Sequence, residues 1–108
     1  MTDAASSVAA QAGAFSAADA GWTFGGALTL ADAASVMEAS LELPLPATGI
    51  VDFSGLMQAD SAALAVMLAL KRRAAVEGRT LTLTGLPASL HSLAVVYGVE
   101  HYLADAGP

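Results

Sequence analysis

Asp60 and Ser61 sit side by side at the head of an apolar run, "SAALAVMLALKRRAAVEGR". An acid beside a hydroxyl invites a test for nucleophilic chemistry. A serine hydrolase of the elbow type needs glycines two residues either side of the serine, together with a histidine and an acid. The residues around Ser61 are "ADSAA", with no glycine. His91 falls on an amphipathic stretch and His101 near the end of the chain, and neither stands in a metal-ligand spacing. No phosphate-binding glycine loop is present, and there is no cysteine to supply a thiolate or a zinc-cysteine site. The chain therefore reads as a non-enzyme with no cofactor.

The pair suits a helix start. Asp60 or Ser61 as N-cap satisfies one unpaired N–H, a contribution of about 1 kcal/mol. The same N–H groups and their partial positive charge also receive anions, and a serine placed there is a natural phosphorylation switch. Composition and spacing leave both readings open, a plain cap or a surface that another molecule reads.

A second cluster is basic. Lys71, Arg72, Arg73 and Arg79 are the whole complement of four Lys and Arg in a chain of formal charge −6. Such a patch can contact phosphate, anionic lipid or an acidic partner. It can equally offset the negative end of a helix dipole. The overall acidic balance disfavours a nucleic-acid binder, which needs a basic footprint.

These residues need a frame. A chain of 108 residues implies one domain. Residues 1–20 are rich in Ala and Ser, lack any basic residue and carry Asp3 and Asp19. That is no secretory signal. It predicts a disordered leader, dispensable for folding, with the folded domain over 21–104. The charge-free run Ser61–Leu70 is too short for a bilayer, which takes about 20 apolar residues. A cytoplasmic protein with no direct membrane insertion is expected.

Trp22-Thr23-Phe24 predicts a strand, broken or bulged at Gly25-Gly26 and resumed from Ala27 to Leu30. A helix follows over "ADAASVMEASLEL", with Asp32 near its start and Val36, Ala39, Ser40 and Leu43 on one face, stopped by Pro44 and Pro46. "IVDFSGL" predicts a central strand covered on both faces. Gly55 should loosen the chain before Asp60. The helix from Ser61 to Glu77 has a stripe of Leu64, Met67 and Leu68 and ends at Gly78. "RTLTLTGL" alternates, with Leu81 and Leu83 inward, as near a sheet edge. Pro87 opens a further helix with Leu90, Leu93, Ala94 and Tyr97 on one face, and "VEHYL" makes a last turn or short helix. The order predicts a mixed, mostly parallel α/β sheet of four or five strands with helices packed against it.

"GALTLADAASV", "GIVDFSGLMQADSAALAVMLALKRRA" and "RTLTLTGLPASLHSLAVVYGV" together resemble the STAS domain, the fold of anti-sigma factor antagonists. The resemblance spans about Gly21 to Leu103. Its most specific part is the hydrophobic–Asp–x–Ser–Gly strand followed by Asp-Ser and an apolar helix. It implies a partner-docking surface around Asp60 and Ser61, with Met57, Gln58 and Ala62 beside them. Phosphorylatable members carry Asp-Ser-Ser, and the second serine takes the phosphate. Here that place is Ala62. "SLAVVYGVEHYL" and Asp60-Ser61-Ala62-Ala63-Leu64 look like the MlaB branch, STAS subunits of bacterial phospholipid ABC transporters. In that branch a single Ser or Thr follows the Asp, and small residues come next. This likeness implies an MlaFEDB-like complex at the inner membrane, in which the chain binds the cytoplasmic ATPase subunit alongside a permease. The alternative on the same fold is an anti-sigma factor antagonist. Lys71, Arg72 and Arg73 remain an expected anionic or partner patch.

Overall fold

Burial alternates along the strands, and this sets the architecture. In a computed structural model that describes residues 13–18 and 21–103, the elements are β1 (Ala14–Ala18), β2 (Gly21–Leu28), α1 (Leu30–Leu41), β3 (Ile50–Ala59), α2 (Ser61–Val76), β4 (Thr82–Thr84), α3 (Ala88–Val96) and α4 (Glu100–Leu103). The sheet order is β1-β2-β3-β4. The β1–β2 pair is antiparallel; β2–β3 and β3–β4 are parallel. The α1 and α2 crossovers supply the parallel connections, as such pairs require. This is the mixed, mostly parallel sheet expected, with four strands.

Trp22, Phe24 and Leu28 of β2, Val51 and Phe53 of β3, and Leu83 of β4 turn one way and join a single core. The core continues through Val36 of α1, Leu64, Val66, Met67 and Leu70 of α2, Leu90 of α3 and Leu103 of α4. Each fully buried Phe, Leu or Met side chain contributes about 2 kcal/mol or more. The Trp22 indole N–H donates to the Pro44 carbonyl at 3.1 Å, so its polar edge is satisfied inside the core.

The other face of the sheet differs from the expectation. Asp52 and Thr84 are half-buried, and Thr23, Gly25 and Ser54 are exposed. β3 is thus covered on one face, not two, among the described residues. Polar side chains at Asp52 and Ser54, alternating with Val51 and Phe53, already carry this pattern of one wet face and one dry.

Residues 1–20 also differ. Positions 14–18 form β1, paired with β2 from Ala14↔Gly25 to Ala18↔Gly21. Phe15 packs against Trp22, Phe24 and Phe53, with ring centroids 5.1, 5.0 and 5.9 Å away. The domain therefore begins before Gly21, with β1 and β2 as a hairpin and β2 running through Gly25-Gly26 as one strand. The rest of the expected leader, residues 1–12, 19 and 20, lies outside the described residues.

Helix ends follow local chemistry. Thr29 precedes α1 in extended backbone, and both its N–H and its hydroxyl donate to Asp32 Oδ2, at 3.3 and 2.9 Å. Gly78 follows α2 at φ 73°, a left-handed geometry that glycine adopts without strain. In α3, Leu90 and Ala94 are buried, whereas Tyr97 is 59% exposed. Tyr97 is the C-cap rather than part of the core-facing stripe.

Candidate functional site

β3 runs further than expected, straight through Gly55 to Ala59. Its register against β2 slips twice, between Thr23 and Gly25 and between Gly26 and Ala27. At the second slip Leu56 pairs with Gly26 and Gln58 with Ala27, so Met57 is the extra residue of a bulge. Bulges re-aim side chains, and Met57 stands 76% exposed. The glycines permit this close pairing. A Cβ on Gly55 would lie 2.7 Å from the Phe24 carbonyl oxygen, so only glycine fits there.

The Asp-x-Ser-Gly segment of β3 folds on itself. Asp52 Oδ1 accepts from the Ser54 N–H at 2.9 Å, and Oδ2 from the Ser54 hydroxyl at 3.0 Å. Thr84 Oγ1 reaches Oδ1 from β4 at 3.4 Å. These bonds favour the ionised form. The Ser54 N–H contributes most, then the Ser54 hydroxyl, and together they hold the Asp52 carboxyl below its ordinary 3.8. The pH consequence has a definite sign. A lowered folded-state value stabilises above the unfolded value, and that contribution is lost as pH falls through the folded one. Thermal unfolding of wild type and Asp52→Asn should therefore differ at pH 7, with the gap closing below about pH 4. A gap that persists unchanged at pH 2 would show that charge is not the cause.

Asp60 answers the question of which residue caps α2. It is the N-cap, in extended backbone, and its Oδ1 accepts from the Ala62 N–H at 2.8 Å. Its Oδ2 accepts from the Leu30 N–H at 3.0 Å. One carboxylate thus holds the first turns of both α1 and α2. Ser61 is the first residue of α2, with an exposed side chain. Gln58 is exposed and Ala62 half-buried. Leu30, tied to Asp60, is 79% exposed. Met57 to Ala62 are thus consecutive at the end of β3 and start of α2, and the Asp60 bond adds Leu30 from α1. Sequence reasoning missed Leu30. The available signal was a leucine directly before "ADAA", outside the helix's apolar stripe.

Arg73 does not belong with a surface patch. Its guanidinium donates to the Ser40 and Leu43 carbonyls at 2.9 and 2.7 Å, and to Glu77 at 3.2 Å. A cation on the last carbonyls of a helix offsets its negative end, and Arg73, in the last turn of α2, also reaches the end of α1. Arg79 likewise donates to the Leu45 and Pro46 carbonyls. Lys71 and Arg72 lie apart from these, beside Leu68, Ala75, Val99 and Tyr102. His91 and His101 are both exposed, on α3 and α4. Among the described residues no group of three or more His, Asp or Glu side chains is placed to hold a metal.

A bulged strand end thus feeds a doubly tied helix mouth in a small α/β domain whose mixed sheet is covered on one face among the described residues. The family model described as "Mlab, STAS domain" matches residues 14–105. The chain belongs to this MlaB-like STAS family. A search of curated proteins found no match. The family match begins at Ala14, the first residue of β1. Among the described residues, no helix is long and apolar enough to cross a membrane.

Proposed function

We propose that this chain is a non-enzymatic STAS subunit of a bacterial Mla-type phospholipid ABC transporter. It binds the cytoplasmic ATPase subunit and supports assembly and activity of the complex at the inner membrane. The docking face is the end of β3 and the mouth of α2: Met57, Gln58, Asp60, Ser61 and Ala62, joined by Leu30. The observation that carries this reading is the pair of apolar side chains, Leu30 and Met57, held 79% and 76% exposed on the segments that Asp60 ties together. Large apolar side chains set outward beside small ones are a feature of protein interfaces. Membership of the MlaB-like family supports the choice of partner. Ala62 in place of a second serine favours constitutive docking over a phosphoswitch.

The experiment is co-purification with the ATPase subunit of an Mla-type transporter. Ser61→Ala removes only an exposed hydroxyl and should bind as wild type. Ser61→Arg sets a long cation on the docking face, against the positive end of α2, and should lower recovery of the ATPase at least about tenfold, a loss of about 1.4 kcal/mol. Circular dichroism should stay native for both. Undiminished recovery with folded Ser61→Arg protein would reduce the Asp60-Ser61 pair to a plain helix start.

A further inference from the structure

Among the described residues, α1 buries one apolar face and leaves a second one open. Val36 and Ser40 are buried, and Ala33 and Met37 pack against the core. Beside that face, Leu30, Ala34, Met37 and Leu41 follow one another at intervals of four, three and four residues. At about 100° per residue they share a single stripe, with the spacing at which one helix packs along another. Met37 is half-buried where the stripe meets the core. Leu30, Ala34 and Leu41 are exposed, the two leucines at 79% and 61%. With a rise of about 1.5 Å per residue, the stripe is about 16 Å long.

The outer flank of the stripe is acidic. Glu38 and Glu42 are exposed and, with Ser35, Ala39 and Leu41, line a groove of about 510 Å³. No Lys or Arg occurs between Leu30 and Lys71. Arg73, the cation that reaches the end of α1, is held on the Ser40 and Leu43 carbonyls and on Glu77. The charge beside the stripe therefore has the same sign as the net charge of −6. We propose that this face of α1 docks a basic amphipathic helix of a partner protein, with apolar side chains along the stripe and Lys or Arg at Glu38 and Glu42. A second copy of this chain or an anionic membrane fits less well, because each brings more negative charge to a negative surface. Leu30 also belongs to the docking face near Ser61, but Glu38, Leu41 and Glu42 lie towards the other end of α1, so the proposal does not rest on that reading.

The test uses the full chain and a labelled peptide of about 15 residues, long enough to form a helix, with leucines three and four apart in turn and lysines beside them. A control peptide has glutamate in place of each lysine. In fluorescence anisotropy the lysine peptide should bind, more weakly as salt is raised, and the glutamate peptide at least about tenfold less tightly. Two kinds of variant separate the stripe from the attraction of the whole chain. Leu41→Asn keeps every charge and should cost about tenfold in affinity; Ala34→Gln serves if circular dichroism shows it misfolded. Glu38→Gln combined with Glu42→Gln should cost about fivefold or more, whereas Glu100→Gln, at an exposed acid on α4, should bind as wild type. Equal binding of the two peptides, wild-type affinity in folded Leu41→Asn, an equal loss from Glu100→Gln and the Glu38/Glu42 pair, or no binding at millimolar peptide would each overturn the proposal. So would a concentration-dependent dimer, or flotation with phosphatidylglycerol vesicles, that Leu41→Asn abolishes, since a second copy or a membrane would then be the occupant.

Discussion

Phe15→Ala should lower the melting temperature of this domain by roughly 10–20 °C, the equivalent of about 2–3 kcal/mol for a chain of this size. Phe15 is half-buried, so the full cost of removing a core phenylalanine does not apply. Its ring, however, touches three others, at 5.1 Å from Trp22, 5.0 Å from Phe24 and 5.9 Å from Phe53. Edge-on and tilted aromatic pairs add about 0.5–1.5 kcal/mol each beyond the area they bury. Trp22, the sole tryptophan, is 1% exposed and reports the loss directly. Its emission should shift to the red in the variant as water reaches the indole. A truncation series sharpens the result, because removing residues 1–18 deletes β1 whereas removing residues 1–12 leaves it. The first should be at least as damaging as Phe15→Ala. A melting temperature within about 2 °C of wild type for Phe15→Ala would mean that β1 contributes pairing without packing.

Asp60→Ala should cost about 2 kcal/mol, twice the usual loss for a helix cap, since two helices lose an acceptor together. The bonds in question run from the Ala62 N–H at 2.8 Å and the Leu30 N–H at 3.0 Å. Asp60→Ser separates them. A serine still caps its own helix but is too short to span to α1, so it should recover about half of the loss. Urea unfolding of the three proteins measures both steps. Wild-type stability in Asp60→Ser would show that the tie to Leu30 carries no energy. If that tie does orient Leu30, Asp60→Ser should also weaken docking while the α2 cap persists.

The periodic elements were legible because their side chains repeat. β4, with Leu83 and the preceding Leu81 inward, and α2, with Leu64 and Met67 in its stripe, needed no tertiary information. β1 was hidden for the opposite reason. Ala14, Ser16, Ala17 and Ala18 have little strand preference, and a single Phe15 is no pattern. The strand exists because β2 offers it an edge and the core offers Phe15 a place, and both are long-range effects that override propensity. The two-face covering expected of β3 failed because the mostly apolar character of "IVDFSGL" was read over its alternation. At the candidate site the residues from Met57 to Ala62 were legible as a motif, while Leu30 was not, because the Asp60–Leu30 bond joins positions thirty residues apart. Arg73 was grouped with Lys71 and Arg72 as an anionic or partner patch because a guanidinium aimed at carbonyls thirty or more residues away leaves no local trace. Its placement in the last turn of α2 pointed to that helix's dipole, and the bonds to the Ser40 and Leu43 carbonyls add the end of α1.

The shared carboxylate of Asp60 has a kinetic consequence. Two of the N–H groups with which helix starts attract anions from solution already face an internal negative charge. With Leu30 and Met57 as its prominent side chains, this face offers an approaching molecule little long-range pull. A complex formed here would assemble without electrostatic steering, at an ordinary rate of about 10⁵–10⁶ M⁻¹s⁻¹ that changes little with ionic strength. Its persistence would then rest on slow departure, as apolar side chains must be rewetted before the partner leaves.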